Sequence, residues 1–115
     1  MIVEDYRDTA EMLARWAQAA GHDARICETG FQAEEMAPAY RPDLVLLDIG
    51  LPDMNGWDLA QALQLLRPVK IAAVTCYRSA EDRQRSQEAG IEWHLGKPAR
   101  REQILELLDQ LAGAN

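Results

Sequence analysis

Five side chains carry the chemistry this sequence could perform: Glu4 and Asp5 near the start, Asp48 after the run LVLL, Thr75 after IAAV, and Lys97 before Pro98. Three carboxylates converging without a partner repel one another and partly protonate. Such a set therefore calls for a cation, either Mg2+ or the ammonium of Lys97. A carboxylate can also be the nucleophile of phosphoryl transfer, giving an acyl phosphate, and that reaction needs Mg2+, a lysine and a hydroxyl around the phosphoryl oxygens. Each residue alone has an ordinary explanation. An acid after a strand is commonly a turn residue or helix cap, Glu4 and Asp5 suit the start of a helix dipole, Thr75 suits a strand, and Lys97 suits a solvated loop. Only their convergence would turn them into a site.

The elements that must bring them together are legible from periodicity. Ile2-Val3 is a strand stub, followed by a helical face of Leu13, Trp16, Ala17 and Ala20 that Gly21 ends. Ala24 to Cys27 reads as a strand, and Ala33, Met36, Ala37 and Tyr40 mark a helix ahead of Pro42. Leu44 to Leu47 has no polar alternation, as in a strand covered on both faces of a parallel sheet. Pro52, Asp53, Asn55 and Gly56 form a turn cluster, with Gly56 serving the turn. Beyond it Leu59, Leu63 and Leu66 share a helical stripe closed by Pro68.

Lys70 to Val74 and Ile91 to Leu95 are the remaining strands, and Ile104, Leu107, Leu108 and Leu111 line the last helix. Between those strands, Ser79 caps a very polar helix reaching Ala89 before Gly90, with almost no apolar stripe beyond Ala80 and Ala89. That helix should be the least firmly docked and a candidate for movement. Five strand-helix alternations imply an α/β, doubly wound, five-stranded parallel sheet with helices on both faces. In such sheets ligands bind outside the carboxyl ends of the strands, where Glu4, Asp5, Asp48, Thr75 and Lys97 fall.

A length of 115 residues suits one domain, spanning 1–115, and the apolar runs fall far short of the ~20 residues a membrane span needs. Twelve basic against nineteen acidic residues, net −7, oppose direct attraction to nucleic acid or anionic lipid. The acidic N-terminus lacks signal-peptide character, and Cys27 and Cys76 show no CxxC spacing, so a cytoplasmic protein with reduced thiols is expected.

Glu4-Asp5, LVLLDIGLPDMNGWDL around Asp48, VT at Val74-Thr75 and LGKP at Leu95 to Pro98 together resemble the response-regulator receiver domain of two-component signalling, over practically the whole chain. The resemblance implies the flavodoxin-like strand order 2-1-3-4-5. It implies that Asp48 accepts a phosphoryl group from a histidine kinase or phosphotransfer domain in a phosphorelay, with weak autodephosphorylation as the only chemistry. Asp5 and Asp48 would ligate Mg2+ directly with the backbone carbonyl of Gly50, and Glu4 through water. Thr75 and Lys97 would hold phosphoryl oxygens, and Lys97-Pro98 resembles the family's cis peptide.

Several features depart from the family pattern. Only three residues precede Glu4, where the family's first strand runs longer. That start, together with the wording DIGLPDMNGWDLA and HLGKPAR, looks like a receiver excised from a hybrid histidine kinase. His94 stands where the family has Tyr or Phe, and is expected to act as the switch side chain, swinging toward Thr75. Gly50 and Tyr77 hold places that tune dephosphorylation in the family the chain resembles, and Gly50 is expected to leave one side open to water. Cys76 is small filler or a redox group, and Trp93 is core or a partner contact. Two rivals stand beside this reading. One is a receiver-like interaction module that is never phosphorylated; the other is an aspartate-nucleophile phosphohydrolase of the haloacid dehalogenase type, which expects an Asp where Gly50 stands.

Overall fold

In the computed structural model, which describes residues 1–113, strands and helices alternate along the chain. The order is β1 (Ile2–Val3), α1 (Arg7–Ala19), β2 (Ile26–Cys27), α2 (Gly30–Tyr40), β3 (Leu44–Leu47), α3 (Gly56–Leu66), β4 (Lys70–Thr75), α4 (Ala80–Glu88), β5 (Trp93–Gly96) and α5 (Arg101–Gly113). The expected domain limit of 115 lies outside the described residues. All strand pairs are parallel, in the order β2-β1-β3-β4-β5. That is the doubly wound order expected.

The unbroken apolar character of β3 follows from its place in the sheet. Leu44 and Leu46 pack with Ile2, Ala72 and Val74 against α1 and α5, while Val45 and Leu47 pack with Val3, Ile71 and Ala73 against α2 and α3. Every residue of the strand therefore meets a helix layer, and none can be polar until the strand ends. Thr29 caps α2 by accepting from Gln32 N, and Asn55 caps α3 by accepting from Asp58 N. Ser79 and Asp82 form a reciprocal capping box at α4. Gly21 and Gly90, at φ +92° and +84°, follow the ends of α1 and α4 in a conformation that excludes most side chains.

The boundaries of β2 and β5 differ from the sequence reading. The strand expected at Ala24 to Cys27 shrinks to Ile26–Cys27. That expected at Ile91 to Leu95 shifts to Trp93–Gly96, because Ile91 N donates to Ser86 O and so closes α4 instead of joining the sheet. Leu66 leaves the apolar stripe of α3 and stays half exposed, lining a cleft with Ala37, Pro38, Val45 and Val69. Ala80 is exposed, and within α4 only Ser86 is buried.

Candidate functional site

The winding direction reverses between β1 and β3, and the acids stand at the carboxyl ends of these two neighbours. Glu4 N donates to Cys27 O at 2.9 Å and Asp48 N to Val3 O at 3.0 Å, so the sheet's own ladder fixes both backbones. Glu4 and Asp48 are buried, whereas Asp5 is exposed and forms no ion pair among the described residues. One oxygen from each of the three carboxylates lies within 4.8 Å of the other two. Lys97 enters from the end of β5: its Nζ donates to Asp48 Oδ2 at 3.0 Å and pairs with Glu4 Oε1. The Lys97-Pro98 peptide is cis.

Burial pushes the Glu4 carboxyl above its ordinary value, and the neighbouring Asp48 adds to this against the opposing hydrogen bond from Lys97. Burial alone would lower the Lys97 ammonium, but its hydrogen bonds to Glu4 and Asp48 prevail and raise it. Lys97 is thus held charged between two acids. Asp5 remains without a counter-ion in this group. An all-oxygen donor set with one uncompensated carboxylate suits a hard divalent cation, and the residues present fit Mg2+.

Close backbone packing shapes the floor. Gly50 N donates to Asp48 Oδ1 at 3.2 Å, and Gly56 N donates to Ile49 O at 2.8 Å. A Cβ on Gly56 would lie 2.7 Å from Ile49 Cα and 2.8 Å from Asp48 O. The need for glycine there is therefore close approach behind the aspartate and not turn conformation, which corrects the role expected for Gly56. Asp53 accepts from Gly30 N and Phe31 N, both at 2.9 Å, tying this loop to the start of α2. Burial alone would raise the Asp53 carboxyl, but these two bonds and one from its own backbone amide together prevail and lower it. Thr75 is fully buried, pairs opposite Gly96, and accepts from Tyr77 N at 3.2 Å. The side of Gly50 expected to be open to water faces the Tyr77 ring, which a Cβ on Gly50 would approach to 3.1 Å.

The chain matches the response regulator receiver domain family over residues 1–109. It belongs to that family. The polar-differentiation response regulator DivK of Brucella anthropi is 29% identical over 98% of this chain and 94% of its own. A CheY-like receiver structure from Methanospirillum hungatei JF-1 is 29% identical with a TM-score of 0.87, covering 99% of this chain and 95% of its own. A Burkholderia pseudomallei response regulator, whose structure holds a phosphorylated aspartic acid, a calcium ion and citrate, is 25% identical with a TM-score of 0.84 over 99% and 72% of the two chains. The protein is a receiver domain of two-component signalling, related to signalling proteins rather than enzymes. No helix among the described residues is long and apolar enough to cross a membrane.

The receiver's five sequence-marked residues occupy neighbouring strand ends, with the contacts given above joining Glu4, Asp48 and Lys97. His94 sits apart from the acids and is half-buried: Nδ1 lies 2.8 Å from Ser86 Oγ and Nε2 2.6 Å from Tyr77 O. A carbonyl only accepts, so Nε2 carries the hydrogen. Trp93 is half-buried against the α1/α5 core, its Nε1 donating to Gln110 Oε1 at 3.3 Å, and Cys76 is exposed. Sequence reasoning missed Ser86 and Trp57. A serine amid the polar string AEDRQRSQE gave no sign of burial, yet it is 1% exposed and accepts from Trp57 Nε1 at 2.9 Å.

Proposed function

We propose that this chain is one receiver domain, over residues 1–115, that accepts a phosphoryl group on Asp48 from a histidine kinase or phosphotransfer domain in the cytoplasm. The observation that carries this reading is Lys97 Nζ on Asp48 Oδ2, beside Glu4 and Asp5, at the sheet's switch point. An Asp48 carboxylate oxygen attacks phosphorus, the phosphorus–nitrogen bond of the donor phosphohistidine breaks, and its electron pair returns to the imidazole. Lys97 then exchanges part of its contact with the carboxylate for a phosphoryl oxygen, and the Thr75 hydroxyl donates to another. Asp5, Asp48 and the Gly50 carbonyl would hold Mg2+ directly and Glu4 through water; the ion offsets phosphoryl charge when bound. Thr75 and His94 form the switch, Thr75 through the Tyr77 amide and His94 through the Tyr77 carbonyl. The acidic balance leaves nucleic acid and membrane contacts to other segments, in keeping with attachment to a larger kinase or regulator.

Intact-mass analysis after incubation with acetyl phosphate, with and without Mg2+, tests the acceptor. One phosphoryl adduct is expected, dependent on Mg2+ and lost in Asp48→Asn. A Mg2+-dependent adduct persisting in Asp48→Asn would place the acceptor elsewhere.

A further inference from the structure

We propose that Ser86 and Trp57 are positioning residues that hold α4 against α3 in the unphosphorylated receiver and release it when the acceptor site is occupied; this rests on the reading of Asp48 as acceptor. A continuous run of hydrogen bonds links the two regions. Thr75 Oγ1 accepts from Tyr77 N, Tyr77 O accepts from His94 Nε2, His94 Nδ1 bonds Ser86 Oγ, and Ser86 Oγ accepts from Trp57 Nε1. Indole nitrogen only donates and a carbonyl only accepts; a neutral imidazole therefore takes the Ser86 hydrogen on Nδ1, and a charged one donates to Ser86 Oγ across the same contact.

The docking of α4 is accordingly polar. Ser86 is its only buried residue, Arg85 stacks on the Trp57 ring at 3.8 Å from the centroid, and Arg83 donates to His94 O at 3.2 Å. An apolar stripe would tolerate a shift of the neighbouring loop, because burial is non-directional. Hydrogen bonds weaken steeply with angle and distance, so this helix senses where the Tyr77 backbone lies. Tyr77 is two residues beyond Thr75 and bonded to its hydroxyl. Drawing that hydroxyl toward a phosphoryl on Asp48 displaces the Tyr77 peptide, withdraws the carbonyl from His94, and frees the imidazole from Ser86. Trp57 Nε1 then loses its fixed acceptor, and α3 and α4 separate at their one buried polar contact.

Bonds made only in the resting arrangement oppose activation, so removing them should favour the active one. The test is NMR titration with beryllofluoride, a phosphoryl mimic, at fixed Mg2+. In the unmodified receiver, amides at Asp48 and Thr75 and the Trp57 indole N–H should all shift. Ser86→Ala should bind the mimic about three- to tenfold more tightly, the effect of losing roughly one buried hydrogen bond. Its indole signal should no longer respond. Trp57→Phe keeps an aromatic ring at the position while removing the indole N–H, breaks the same bond from the other side, and should tighten binding likewise; it carries the test alone where Ser86→Ala does not fold. Silent amides at Asp48 and Thr75 in the unmodified receiver would overturn the acceptor reading itself. Responsive amides with an unmoved indole, and variant affinities within about twofold of the parent, would overturn the coupling and leave the acceptor standing.

Discussion

Lys97→Met should make the receiver's stability depend steeply on pH. The side chain of Lys97 is 18% exposed, and it is the cation facing Glu4 and Asp48, whose side chains are 3% and 11% exposed. Methionine keeps the apolar stem and removes only the charge. Removing one partner from a buried ion pair costs about 3–5 kcal/mol, because the other charge is left uncompensated. Proton uptake sets a ceiling on that cost. Glu4, already raised by burial, can neutralise itself. From its ordinary value of 4.5, doing so at pH 7 costs 2.5 pH units at about 1.36 kcal/mol each, or ~3.4 kcal/mol. At pH 5 the same reasoning gives 0.5 × 1.36, or ~0.7 kcal/mol.

The sign follows from linkage. A carboxyl raised in the folded state binds more protons folded than unfolded, so stability falls as pH rises from 4.5 through the folded value. In the unmodified receiver Lys97 restrains this fall, and its own contribution is lost only as pH rises past 10.5 toward its raised folded value. Urea unfolding of both proteins at pH 5, 6, 7 and 8 measures the difference. A destabilisation that grows by more than about 2 kcal/mol between pH 5 and pH 7 is expected, with partial recovery on adding Mg2+. An equal difference at every pH would refute the claim that Lys97 holds these acids together.

Two further changes probe the backbone around the site and the end of α2. Gly56→Ala forces a Cβ to 2.7 Å from Ile49 Cα and 2.8 Å from Asp48 O, backbone atoms that cannot swing away. It should cost about 1–3 kcal/mol in urea unfolding and slow phosphorylation by acetyl phosphate; unchanged stability would show that the floor behind Asp48 can yield. Arg41→Gly should stabilise the receiver by about 0.5–1 kcal/mol, since Arg41 closes α2 at φ 52°, where a side chain is strained; a lower urea midpoint would show that its side chain contributes more than the strain costs.

The alternation of buried strands and amphipathic helices was written in the sequence, because burial on two faces leaves no polar residue in Leu44 to Leu47 and one wet side leaves a stripe on each main helix. The placement of the five candidate residues was legible for the same reason: carboxylates, a hydroxyl and a lysine at strand ends have nowhere to go but the carboxyl edge of the sheet. Tertiary structure alone decided which of them meet. Lys97 pairs with both Glu4 and Asp48, while Asp5 stays exposed, because the last strand end delivers one ammonium to the two more buried acids. It also decided the fate of α4. Its sequence predicts a loosely docked helix, since periodicity registers apolar surface, whereas the hold on Ser86 is a directional bond from Trp57, far away along the chain. The same limit hid the role of Gly56, where the reason for glycine is the approach of Ile49 and Asp48 across a turn and not a local backbone angle.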